Sequence, residues 1–168
     1  IRTLLEIHGF SEVVTSSFRK KDIILLRNAL ASDKSYLRST LSKNIAEALD
    51  RNAGLLDLLG AQDTRIFEIG TVFTKGEDGF ISEHVSLCFG VRTKMQGFVP
   101  GDDKLIGEII VELSKNLGAE VSCSIEKGIA ECDFSALLRI LPLPTAYKPV
   151  SLSEEIAYRP FSLYPAVA

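Results

Sequence analysis

Apolar and polar positions change period several times along this chain, and the changes divide it into elements. Residues 1–9, "IRTLLEIHG", place Ile1, Leu4, Leu5 and His8 on one helical stripe, with Gly9 suited to the left-handed residue that ends a helix. "SEVVTSSF" (11–18) and "DIILL" (22–26) are β-branched or aliphatic, alternate roughly, and are separated by the basic break "RKK", which predicts a hairpin. From Ser35 to Leu59 the period becomes four, with Leu37, Leu41, Ile45 and Leu49 in step, and an amphipathic helix is expected, broken or bent at Gly54 and closed by Gly60. "RIFEIGTVF" (65–73) then reads as a strand, "TKGEDG" (74–79) as a turn, and "HVSLCFGVR" (84–92) as the returning strand. Asp102 or Asp103 can cap a further helix carrying Leu105, Ile106, Ile109, Ile110, Leu113 and Leu117, ended by Gly118. Short strands near "EVSCSIE" (120–126) and "IAECDFS" (129–135) complete the ordered part. Helices alternate irregularly with hairpin-like strand pairs, so the expected class is α+β, a mainly antiparallel sheet flanked by helices.

Side-chain parity along the strand 65–73 carries the chemical argument. Successive residues of a strand point to opposite faces, so Arg65, Phe67, Ile69, Thr71 and Phe73 share one side and Ile66, Glu68, Gly70 and Val72 the other. The arginine and the glutamate therefore face apart. A one-residue slip would bring neither to the other, because it inverts the whole apolar pattern.

Five of the six prolines, Pro142, Pro144, Pro149, Pro160 and Pro165, follow residue 141, where they break helices and inner strands. The division is a core domain over 1–141 and a connector over 142–168. The chain opens on Ile1 and stops in the strand-like "LYPAVA", and so reads as a piece of a longer protein.

Composition narrows the function. With 168 residues, 46% hydrophobic and 24% charged, the chain is long enough for a substantial core and far from the disordered regime. A formal charge of -3 offers no general attraction to phosphate backbones. The apolar runs are too short to cross a bilayer, and a soluble, cytoplasmic protein without membrane partners is expected. Cys88, Cys123 and Cys132 form no C-x-x-C pair and the only histidines are His8 and His84, so no metal site is expected and the thiols read as core fillers. No G-x-G-x-x-G occurs, and no Ser, Cys or Asp stands at a spacing that would make His8 part of a triad. Phe18 to Lys21 reads as a solvated basic tip, and Glu77 with Asp78 as turn carboxylates rather than a Mg²⁺ site.

"LLEIHGFSEVVTSSF" resembles the first signature motif of class II aminoacyl-tRNA synthetases, a helix and strand around "GF-x-E-V-x-T". Together with "NALASDKSYLRSTL" (28–41), "RIFEIGTVF" and "YRPFSLYPAVA" (158–168), the order is similar to the β chain of bacterial phenylalanyl-tRNA synthetase. Ala29 stands where that family usually has proline, and "DFSALLRI" lacks the Phe-Phe-Asp-x-Lys-Gly run of many longer relatives. The resemblance implies a class II core fold, followed by an anticodon-binding domain that would begin after "FSLYPAVA". It also implies a catalytic-like core that has lost activity and packs on the catalytic α chain, contacting tRNA through the complete complex, with ATP and Mg belonging to the α chain.

The second motif of an active class II enzyme sets an arginine two residues before the glutamate, both directed at ATP. Here that position is Ile66, the relict glutamate is Glu68, and the third motif is absent. No catalytic or cofactor-binding residue is therefore expected, and the fragment itself reads as inactive within a parent phenylalanine-tRNA ligase. Glu68 reads as a fold remnant whose carboxylate is taken up by a nearby amide, lysine or arginine, and Arg65 as an ion-pair or interface residue. The first motif serves as an interface in the family, which puts the expected partner contacts at Leu4, Ile7, Phe10 and Val13. The rival readings are an active adenylate-forming ligase domain and a tRNA-binding module.

Overall fold

The computed structural model describes residues 1–29, 31–93 and 100–141. The connector expected over 142–168 lies outside the described residues.

The framework is a long antiparallel hairpin. Strand β5 (Asp63–Lys75) pairs with β6 (Ile81–Thr93) without a bulge, from Asp63 opposite Thr93 to Lys75 opposite Ile81. The turn between them closes through Gly76 N–H to the Phe80 carbonyl at 2.9 Å and through Phe80 N–H to the Asp78 carboxylate at 3.1 Å. The sheet runs in the order β1-β5-β6-β8-β7, with β1 (Ser11–Glu12), β7 (Ser124–Glu126) and β8 (Ile129–Asp133). Only β1 on β5 is parallel among the described strands; every other pairing is antiparallel.

Period-two alternation in the hairpin loads both faces. Phe67, Leu87, Phe89 and Val91 form one core with helices α1 (Arg2–Ile7), α4 (Pro100–Leu117) and α5 (Phe134–Ile140), which contribute Leu5, Ile106, Ile109, Leu113 and Leu137. Ile66, Val72 and Cys88 form a second core with α2 (Ser42–Ala53), through Ile45, Ala48 and Leu49, and with Leu41 just before it. Leu41, Ile45 and Leu49 are wholly buried, a stripe whose removal from water stabilises the α2 packing by roughly 5–9 kcal/mol. Truncating Ile45 to alanine alone would cost about 2–5 kcal/mol. Gly90 of β6 permits the close approach, because a Cβ there would lie 2.9 Å from Leu49 Cδ1 and 3.0 Å from Ile129 Cγ1.

Three expectations need correction. Residues 11–18 and 22–26 do not pair with each other. Strands β2 (Phe18–Arg19) and β3 (Ile24–Leu25) both pair with β4 (Tyr36–Leu37), which lies between them in a small second sheet. Secondly, the helix expected from Ser35 starts only at Ser42. Leu37 belongs to β4, and the backbone around it has other partners: Arg38 N–H donates to the Ser17 carbonyl at 2.9 Å, and the Ser39 hydroxyl bonds the Asp22 carboxylate at 2.6 Å. A short helix, α3 (Leu56–Leu59), follows Gly54, and Gly60 caps it at φ 66°.

The third correction concerns the region after residue 99. Helix α4 begins at Pro100, so Asp102 and Asp103 sit in its first turn instead of capping it, and Asp103 accepts the Gly128 N–H at 2.6 Å from the β7–β8 turn. The strand expected over 129–135 ends at Asp133, and Phe134–Ile140 form helix α5, N-capped by Asp133, whose carboxylate accepts Ala136 N–H at 2.8 Å.

Candidate functional site

The face of β5 that carries Glu68 holds a closed polar knot. The Glu68 carboxylate, 2% exposed, accepts from Arg38 Nη1 at 2.8 Å through one oxygen and from the Thr15 hydroxyl at 2.6 Å through the other. Arg38, 3% exposed, also donates through Nη1 to Thr15 Oγ1 at 3.0 Å and through Nε to the Thr71 carbonyl at 2.8 Å. Asn44 of α2 adds its amide to Thr15 Oγ1 at 2.9 Å and to the Ser16 carbonyl at 2.8 Å. A buried carboxylate demands an opposite charge and full hydrogen bonding, and both are met here by protein groups.

Gly70 makes room for the knot. Two residues along the same face, it would carry a Cβ 2.6 Å from Arg38 Nη2 and 2.9 Å from Glu68 Oε1. Ile66, two residues the other way, is buried at 5% among Leu41, Ile45 and Val72. That position on the Glu68 face is thus aliphatic and covered. Arg65 points to the opposite face, as parity requires, where it bonds the Asp63 carboxylate at 2.7 Å and the His8 carbonyl at 2.9 Å.

The residues expected at a partner interface divide. Ile7 is 78% exposed, and Val14, on the segment that follows β1, 93%. Leu4 and Val13 are half-buried, each packed against one of the two cores. Phe10 is the correction: it is 3% exposed, edge-on to Phe89 with ring centroids 5.9 Å apart, and so belongs to the chain's own core.

Other candidate chemistry is quiet. His8 Nε2 lies 2.9 Å from Glu112, tying the end of α1 to α4, with no nucleophile beside it. Burial pushes the Cys88 thiol well above its ordinary range, helped by the Glu131 charge. A hydrogen bond to Cys123, with burial, does the same for Cys132. Neither is a thiolate nucleophile. Among the described residues no group of three side chains could hold a metal ion. None of their helices is long and apolar enough to cross a membrane.

Two participants were not singled out by sequence reasoning. Arg38 was hidden inside the supposed helix, although its Leu-Arg-x-x-Leu setting was visible. Glu131 of β8 caps the start of α2, accepting the amides of Leu41 at 2.8 Å and Ser42 at 2.9 Å, and only the folded sheet brings it there.

The model of the family described as "Phenylalanyl tRNA synthetase beta chain CLM domain" matches residues 1–97, a stretch that holds every member of the knot. The chain belongs to this family. Two curated relatives are each named phenylalanine–tRNA ligase beta subunit. The one from Syntrophus aciditrophicus is 31% identical over 42% of this chain and 10% of its own length. The one from Geobacter sulfurreducens is 27% identical over 55% of this chain and 13% of its own. The chain therefore spans about a tenth of the curated β subunits it matches. Among solved structures, pyrrolysyl-tRNA synthetase from Desulfitobacterium hafniense aligns with 74% of this chain and 47% of its own, at TM-score 0.50 and 22% identity. That likeness concerns the fold: an antiparallel sheet flanked by helices, as in the class II synthetase core. The matched stretch opens with α1, which runs into Gly9 at φ 80°.

Proposed function

We propose that the chain is a non-catalytic core module of a phenylalanyl-tRNA synthetase β chain that packs on the catalytic α chain and holds it in its working arrangement. One observation carries this reading. Glu68, the relict of the nucleotide-binding pair, is consumed by the buried Arg38, while Ile66 fills the place of the missing cation inside an apolar core. A site for adenylate chemistry needs an accessible guanidinium to meet the charge growing on the α-phosphate, and the arrangement around Glu68 supports none. In this proposal ATP and Mg act in the α chain, tRNA is engaged by the complete cytoplasmic heterotetramer, and residues 142–168 connect to an anticodon-binding domain.

Exposed Ile7 and Val14, with half-buried Leu4 and Val13, are the apolar side chains assigned to the partner contact. Two measurements test the proposal together. Phenylalanine-dependent pyrophosphate exchange by the chain alone should stay at background, and sedimentation with the cognate α chain should show association that Ile7→Asp with Val14→Asp weakens by roughly tenfold or more. Exchange activity from the chain alone would overturn the non-catalytic reading. Association untouched by the double substitution would overturn the surface.

A further inference from the structure

Cys123 and Cys132 stand together at the open edge of the main sheet. The two-residue turn between β7 and β8 uses Lys127 and Gly128, both at positive φ (52° and 75°), and a turn of that kind fixes the register of the strands it joins. From Glu126 opposite Ile129 the ladder runs to Ser124 opposite Glu131, and one further step sets Cys123 opposite Cys132. The Ser124 hydroxyl donates to the Glu131 carbonyl at 3.2 Å, so the two segments are still side by side at that end. Places in an antiparallel ladder alternate, and counting from the turn puts the cysteines at one without backbone hydrogen bonds between its residues, where Cα atoms approach to roughly 4.5 Å. A disulfide spans about 4.4–6.8 Å between Cα atoms.

Parity brings the two side chains to one face. Cys132 lies opposite Leu87 of β6, and both belong to the core under α4 and α5, against which Cys123 also packs. Cys88, opposite Glu131, is one residue out of step and lies in the other core, beneath α2. The sheet itself keeps it from the pair. A hydrogen bond between the thiols of Cys123 and Cys132 draws Cys123 below its ordinary value and, together with burial, lifts Cys132. Access is unequal in the same sense. Cys132 is 5% exposed, on the wall of a cleft of about 310 Å³ that it shares with Val121 and Leu137, whereas Cys123 is half-buried between exposed Ser122 and Ser124 at the outermost strand. The more accessible sulfur is thus the one favoured as thiolate, and the covered one stands behind it.

We infer that Cys123 and Cys132 form a peroxide-oxidisable dithiol that closes into an intramolecular disulfide across the β7–β8 hairpin. The Cys123 thiolate attacks a hydroperoxide and takes one oxygen as sulfenic acid, while the remaining alkoxide or hydroxide picks up a proton from solvent and leaves as alcohol or water. With the Cys123 charge gone, the Cys132 sulfur attacks the sulfenic sulfur, its proton leaves with the departing hydroxide as water, and two electrons in all have passed from the thiols to the peroxide. Two equivalents of a reducing thiol reverse the closure and end as their own disulfide. The bond staples the stretch that leads from α4 into the outermost strand onto β8.

The full chain is treated with a small excess of hydrogen peroxide, quenched, unfolded and alkylated with N-ethylmaleimide, and its intact mass and peptides are read by mass spectrometry. One alkylated thiol, Cys88, and a peptide cross-linked between Cys123 and Cys132 are expected, and dithiothreitol should restore three alkylatable thiols. This result needs no variant and so does not depend on how any variant folds. Cys88→Ser should keep the cross-link. Cys132→Ser should halt the sequence at a Cys123 sulfenic acid, captured as a dimedone adduct, and Cys123→Ser should leave Cys132 a free thiol at the same dose. Three free thiols after peroxide, a cross-link through Cys88 or between two chains, or oxidation of Cys132 undiminished by Cys123→Ser overturns the assignment.

Discussion

Replacing Glu68 by glutamine removes the charge opposite Arg38 while keeping the side chain's length and its bond from Thr15. What remains is a guanidinium 3% exposed, beneath α2, with no counter-ion. Breaking a buried pair from one side costs about 3–5 kcal/mol, because the surviving ion keeps its desolvation penalty and loses its compensation. Arg38→Met should cost a similar amount by stranding the carboxylate. In a domain of this size each kcal/mol lowers the melting temperature by about 3 °C, so each single variant should melt roughly 10–15 °C early. Arg38→Met combined with Glu68→Leu removes both ions at nearly constant volume and should return to within about 2 kcal/mol of the parent. Urea unfolding followed by circular dichroism gives the free energies of these variants and of Glu68→Leu alone, and the cycle of Arg38→Met, Glu68→Leu and their combination isolates the coupling. Losses that simply add, or singles costing less than about 1 kcal/mol, would show that water reaches the pair and that the knot is open.

Gly70→Ala should destabilise by about 1–3 kcal/mol in the same assay, since its methyl would press on Arg38 Nη2 from 2.6 Å within a packed core. Glu131→Ala should cost about 1–2 kcal/mol by orphaning the Leu41 and Ser42 amides at the positive end of α2, and amide exchange should quicken first there. Asp22 yields a pH test. Burial by itself would raise its carboxyl, but the Ser39 hydroxyl, the amides of Ile23 and Ser39, and Lys43 at 3.5 Å outweigh that and hold it below the ordinary 3.8. A depressed folded value means the stabilisation is complete above the ordinary value and is lost as pH falls through the folded one. The deficit of Asp22→Asn against the parent should therefore be largest near neutrality and should shrink below about pH 4; a constant deficit down to pH 2 would refute the linkage.

Legibility in the sequence followed the range of the forces involved. Strict alternation from Arg65 to Phe73 fixed which residues share a face, because one buried core on each side leaves no other register, and Glu68 and Arg65 do point apart. Local turn chemistry was equally readable at Gly9, Gly60 and Gly118, all at positive φ. The segment around Arg38 reads as helix because Leu37 and Leu41 keep a four-residue spacing by coincidence: one lies on a strand, the other just ahead of a helix. The cap on α2 was invisible for another reason. Glu131 lies 90 residues from Leu41, and nothing local marks a carboxylate for that duty. Helix α5 did leave a signal in Asp133 and the Leu137 stripe, masked by a strand reading carried too far into Ser135.

The small sheet β2-β4-β3 buries little of its own: Ile24 is covered, while Leu25 is 63% exposed and Phe18 46%. Left to itself it would fray. Arg38, at the end of β4, pins it to the main sheet through Glu68, the Thr71 carbonyl and the bond from Phe73 N–H to its own carbonyl at 3.0 Å. Peeling the small sheet away would pull an ion out of its only matched surroundings. The two sheets are consequently bound into a single cooperative unit, so the marginal one borrows the lifetime of the other.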